Sequence, residues 1–228
     1  MLKIIKSKLK LWKSIISQLC WKQIVFARYR KKEQLVAQKI KLGKKITVVF
    51  LVREVSKWNA TTVYRRMLEN PLFDVFIALT IIKDQYTTET ERIEELEKSK
   101  SFFKNLDMKS VVLYDPKSDS ESCLSGYHPD LIFYDQPWSL KNDYALKKTS
   151  NFALSAYIPY SLEIANTAEA NFNTEFQNLL WMYFAPNKFV DTLFRKGYLG
   201  RSMRSFISGY PKLDAYLDKT TKNSKKKI

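Results

Sequence analysis

The chain has 228 residues and is 45% apolar, enough for one substantial core, which excludes an intrinsically disordered protein. Its formal net charge of +16 calls for an anionic partner, yet the charge is gathered at the ends: residues 1–45 hold twelve lysines and two arginines against Glu33 alone, net +13, and Lys222, Lys225, Lys226 and Lys227 add +4. The stretch 46–221 is left at −1, so the body lacks the basic face of a folded nucleic-acid binder, and nucleic acid is not an expected partner.

Within the arm, Ile5, Leu9, Trp12, Ile16 and Leu19 recur at steps of four, three, four and three, and Lys3, Lys6, Lys10 and Lys13 fall mostly on other faces. That periodicity predicts a basic amphipathic helix over residues 1–45. One occupant for its apolar stripe is an anionic membrane surface, where each lysine near the lipid is worth about 1 kcal/mol. The other is the body of this protein or a partner domain, and periodicity does not separate the two. The arm's longest uncharged run, Ser14 to Trp21, is too short to cross a bilayer, so the expected location is cytoplasmic and peripheral at the inner face of the plasma membrane. Cys20 and Cys123 have no second cysteine pair or histidine cluster beside them and read as free thiols of a reducing compartment.

From Ile46 the pattern changes to short apolar runs separated by helical stretches. Strands are predicted at 46–52, 74–82, 111–114, 131–134 and 153–158, with a last one in RSFISGYP. Helices are predicted at 60–69, 89–106, 141–148, 173–183 and 188–196. Apolar strands without strict alternation, separated by helices, argue for an α/β fold: a Rossmann-like parallel sheet with helices on both faces, spanning 46–217 and preceded by the basic helix. Residues 218–228 read as a basic tail or interdomain linker. There is no GxGxxG after the first strand and no GxxxxGK[ST], so no cofactor is expected. The acidic run Asp115, Asp119, Glu121 lies in a serine-rich loop, read as solvated, and no metal is expected.

In an open parallel sheet, ligands bind beyond the carboxyl ends of the strands. After the strand 46–52 come Arg53, Glu54, Lys57 and Trp58; after 131–134, Asp135, Gln136 and Trp138; after 153–158, Tyr160; and after the last strand, Tyr210 and Lys212. Singly, each has a structural reading as a core cap, helix cap or strand stop. Jointly they predict a crevice for a polar, hydroxylated or phosphorylated ligand: Arg53 and Lys57 on phosphate, Asp135 and Gln136 on hydroxyls, Trp58 and Trp138 stacked on a ring. His128, the only histidine, precedes its strand and belongs to the opposite, amino edge, away from that chemistry.

The segments LVREVSKWNATTVYRRM, HPDLIFYDQPW, SAYIPYS and SGYPKLDAYL, taken as a set, resemble the amino-terminal half of bacterial CDP-glycerol glycerophosphotransferase-like proteins, two-domain enzymes of the GT-B type that build teichoic-acid and capsule polymers. The resemblance covers about residues 46–217. It implies an acceptor-side domain for a polyol-phosphate or glycan, facing a second domain that holds the CDP-linked donor. Two departures follow. The chain ends where such a second domain would begin, so the expectation is a truncated or split enzyme, inactive alone, or one whose donor-binding half is a separate chain. A His-Gly-Thr-Pro-Leu-Lys type segment is missing, so no catalytic base is assigned. The alternative is a non-catalytic module that docks a surface-polysaccharide assembly on the membrane.

Overall fold

A computed structural model describes residues 2–138, 140, 142–162, 172–196, 204–214 and 216, with side chains from residue 12 onward except that of residue 142. The tail 218–228 and the side chains of Lys3, Lys6 and Lys10 lie outside the described residues. In chain order the elements are α1 (Leu2–Lys41), β1 (Ile46–Val52), α2 (Thr61–Glu69), β2 (Phe73–Leu79), α3 (Glu89–Asn105) and β3 (Ser110–Val112). A small hairpin, β4 (Tyr114–Asp115) with β5 (Ser120–Glu121), is followed by β6 (Leu131–Tyr134), α4 (Leu146–Thr149) and β7 (Leu154–Tyr157). Then come α5 (Glu175–Leu179), β8 (Met182–Ala185), α6 (Lys188–Arg195) and β9 (Ser205–Ile207).

Seven strands form one parallel sheet in the order β3-β2-β1-β6-β7-β8-β9. With the hairpin set aside, the order runs outward from β1 on both sides, the doubly wound arrangement of a Rossmann-like fold with its switch point between β1 and β6. The alternation of β1 feeds both layers: Val48, Phe50 and Val52 pack with Tyr64 of α2 and Leu96 and Phe103 of α3, whereas Val49 and Leu51 belong to the core under α1, α5 and α6. Burial on both faces explains why the strand reads as a continuous apolar run. At the start of α3, Thr88 and Glu91 form a reciprocal capping box, which sets the helix boundary close to the expected one.

Two expected elements change. The run over 173–183 divides into the short α5 and the strand β8, because Leu180 takes an extended backbone and Trp181 joins the sheet through its amide to the Ser155 carbonyl. The run 111–114 also divides: β3 ends at Val112, and Tyr114 pairs with Glu121 in the hairpin. In both places a helix or strand pattern of side chains is overridden by the partner strand that the backbone meets.

Helix α1 has two different halves. Val25 and Tyr29 are fully buried, and the Tyr29 hydroxyl donates to the Leu179 carbonyl at 3.0 Å. Glu33 accepts from Trp181 Nε1 at 2.7 Å and pairs with Arg204, tying the helix to β8 and the start of β9. Upstream, Trp12, Ile16 and Leu19 are exposed at 63%, 56% and 42%. At about 100° per residue these three lie roughly 80–140° around the helix from Tyr29, so the exposed stripe does not continue the buried one. The carboxyl half of the 1–45 segment is thus part of the core that the sheet builds, and the amino half projects from it. No helix among the described residues is long and apolar enough to cross a membrane.

Candidate functional site at the carboxyl edge of the sheet

The switch point is filled by a buried ion pair. Arg53, directly after β1, and Asp135, directly after β6, are 2% and 8% exposed. The Asp135 carboxylate accepts from the backbone amides of Arg53 at 2.7 Å and Glu54 at 3.3 Å, and from Arg53 Nε and Nη2, each at 3.3 Å. The same guanidinium donates to the carbonyls of Gln136 at 2.9 Å and Trp138 at 2.5 Å. Arg53 therefore clamps the whole Asp-Gln-Pro-Trp turn, while Gln136 Nε2 donates to Glu54 at 2.8 Å. Burial pushes the Asp135 carboxyl up, and the Arg53 guanidinium and the two amides oppose that rise.

Above this clamp lies an accessible layer. The Trp138 indole N–H donates to the Tyr160 hydroxyl at 3.4 Å, and Lys57 Nζ stands 4.7 Å from the centre of the Tyr160 ring, a cation–π contact. The Tyr210 hydroxyl donates to the Tyr160 carbonyl at 2.7 Å, and Asn59 donates to the Pro159 carbonyl at 2.5 Å. Loops following β1, β6, β7 and β9 are thereby knitted into one surface. Trp138 is 38% exposed, and Lys57, Tyr160 and Tyr210 are half-buried. Beside Trp138 a cleft of about 360 Å³ opens between Leu140, Leu146, Phe176 and Leu179.

The structure brings together Arg53, Glu54, Lys57, Asp135, Gln136, Trp138, Tyr160 and Tyr210. It divides them into a buried clamp and an accessible aromatic–lysine layer. Trp58 goes elsewhere: 8% exposed, it packs edge-on against Phe50 and Phe103, and its indole N–H donates to Thr61 at 2.8 Å. It is a core residue, without a face for a ring to stack on. Lys212 stands exposed on the short turn Pro211–Leu213. His128 closes the turn before β6 at the opposite edge, in a left-handed backbone conformation. Sequence reasoning missed Phe176 and Leu179 as walls of the cleft, because their spacing reads as a longer helix and nothing in it points toward Trp138.

The acidic loop is tied down by side chains of this protein: Asp119 meets Lys83 and Arg92 and accepts from Tyr114, and Glu121 accepts from Thr80. No metal-ligating group of His, Cys, Asp and Glu occurs among the described residues.

The chain matches no known protein-family profile and no curated protein. Among solved structures it is similar to Anabaena HepE, seen in complex with UDP and glucose, at 12% identity and a TM-score of 0.42. That similarity covers 72% of this chain and 44% of the HepE chain, so the described fold spans less than half the length of that neighbour. The Rossmann-like assignment stands on the strand order itself.

Proposed function

We propose that the carboxyl edge is the acceptor wall of a transferase of the CDP-glycerol glycerophosphotransferase-like or glycosyltransferase kind. The observation that carries this reading is the layer of Lys57, Trp138, Tyr160 and Tyr210 at the switch point, mounted on a buried clamp. Ligands of open α/β sheets sit at this place, and a lysine beside two aromatic rings suits a phosphate attached to a hydroxylated or ring-bearing group. All four groups stand on one sheet edge. Transfer requires donor and acceptor to be held in attack geometry, so a facing domain supplies the donor side.

Calorimetric titration with a short poly(glycerol phosphate) tests the acceptor role. Saturable binding is expected, weakened about two- to tenfold by Trp138→Ala, the range that one aromatic contact supplies. No binding, or binding indifferent to Trp138→Ala, sinks the acceptor assignment. Sustained turnover of CDP-glycerol by this chain alone sinks the need for a facing domain.

The same proposal places the protein at the membrane surface through the amino half of α1. Supporting it are the exposed Trp12, Ile16 and Leu19, their displacement around the helix from the core-facing residues, and the lysines that flank them. Sedimentation with phosphatidylglycerol vesicles should fall sharply in Trp12→Ser/Ile16→Ser, with thermal stability unchanged. Undiminished sedimentation removes the membrane role. A deletion used for this purpose has to stop before Val25 and Tyr29, since removing residues 1–40 would empty part of the core.

A further inference from the structure

We infer that the groove at the amino edge of the sheet, between α1 and the turn that carries His128, binds a soluble organic phosphate. The groove has a volume of about 550 Å³. One wall is a row of cations on α1, Arg28, Lys31, Lys32 and Lys39, whose spacing of three, one and seven keeps them on one side of the helix. The other wall is Ser125, His128, Pro129 and Phe152.

Three of the four cations are positioned before any ligand arrives. Arg28 Nη1 donates to the Lys147 carbonyl at 2.9 Å and to Ser150 Oγ at 3.3 Å. Lys32 and Lys39 are held at 2.9 and 2.6 Å by Asp130, which is fully buried and follows Pro129 of the groove wall in sequence. Pre-ordering long side chains lowers the entropic cost of engaging an anion. Charge in the groove stays unbalanced: Asp130 is one carboxylate against four cations, and the neighbouring acids Asp143 and Glu175 are engaged by Lys148 and Lys147. Lys31 is exposed and has no ion pair among the described residues. A concave surface of one sign concentrates the field on a counter-ion, and charge-assisted bonds from arginine and lysine suit phosphate oxygens. Leu35, Pro129 and Phe152 add apolar surface that a bare inorganic ion would leave unused, which favours a phosphate carrying an organic group.

A lipid headgroup offers the same phosphate, but the geometry of α1 selects against it, a step that rests on the membrane reading above. Trp12, Ile16 and Leu19 lie roughly 120–180° around the helix from Arg28, Lys32 and Lys39, so a bilayer touching that stripe faces away from those three cations, with Lys31 nearer at roughly 60–120°.

The test uses the untagged full chain, in which His128 is the one histidine, so its imidazole C–H signals report this groove alone. Titration with sodium pyrophosphate at fixed neutral pH should shift those signals saturably, and Lys31→Glu, at an exposed site with little bearing on folding, should weaken the apparent affinity by about tenfold or more. Absence of a shift, a shift that never saturates, or one that Lys31→Glu leaves unchanged overturns the site. In a parallel arm, phosphatidylglycerol vesicles should leave the pyrophosphate-induced shift in place. Displacement by vesicles would reassign the groove to lipid headgroups and overturn the soluble ligand, whereas failure of Trp12→Ser/Ile16→Ser to alter sedimentation would remove the membrane reading and the geometric argument built on it, leaving the choice of ligand to the vesicle arm.

Discussion

Two aspartates bracket β6, and they meet opposite fates. Asp130 enters the strand at the amino edge and Asp135 leaves it at the carboxyl edge; both are buried, and each is matched with basic side chains. Asp135 is held by Arg53 and two amides of the adjacent parallel strand's end, so its partners follow from the register of β1 beside β6. Asp130 is held by Lys32 and Lys39 of α1, reaching across from outside the sheet, together with the Thr47 amide at 3.0 Å. One edge is thus closed by a sealed pair that shapes a turn. The other carries a surplus of positive charge on a partly exposed helix. Buried charge at a sheet edge fixes a loop when its partner is equally buried, and leaves an electropositive groove when its partners bring more charge than it can balance.

The largest effect expected from breaking this contrast comes from Arg53→Met. It strands Asp135 without its guanidinium and should cost about 3–5 kcal/mol in urea unfolding. A loss under about 1 kcal/mol would mean that the clamp is not a sealed pair.

Asp130→Asn should cost less, about 1.5–3 kcal/mol, since it weakens charge-assisted bonds to lysines that can turn to water. It also separates the two edges by pH. Burial alone would raise the Asp130 pKa, but Lys39, Lys32 and the Thr47 amide outweigh it, and the carboxyl sits below its ordinary value. A carboxyl with a depressed folded pKa stabilises the fold above the unfolded value, near 3.9, and that stability is lost as pH falls through the folded pKa. Asp130→Asn should therefore flatten the loss of stability in the acid range. Asp135 has the opposite sign, its carboxyl being pushed up by burial, so Asp135→Asn should not flatten it. Identical acid profiles for the two variants would erase the contrast.

The smallest change is Tyr29→Phe, which removes a buried hydroxyl from the Leu179 carbonyl and should cost about 1 kcal/mol. Because it loosens the docking of α1, it should weaken pyrophosphate binding at the amino edge while leaving poly(glycerol phosphate) binding at the carboxyl edge unchanged. A change confined to the carboxyl edge would show that the helix does not position the groove.

By itself the sequence determined the alternation of helix and strand and hence the parallel sheet, since strands buried on both faces must be apolar throughout, as ITVVFLV and LIFY are. It also determined which residues follow each strand, so Arg53, Asp135, Trp138, Tyr160 and Tyr210 were legible as neighbours. Tertiary structure decided what those neighbours do. Arg53 and Asp135 satisfy each other because a buried charge must be paired, and Trp58 turns inward because Phe50 and Phe103 leave it a ring-lined space. The strand β8 was hidden within a helical pattern, since its pairing with β7 is a long-range contact that local spacing does not encode. The basic groove was hidden as well: Asp130 lies 91 residues beyond Lys39 and farther still from Lys32, and only the docking of α1 across the amino edge brings them together.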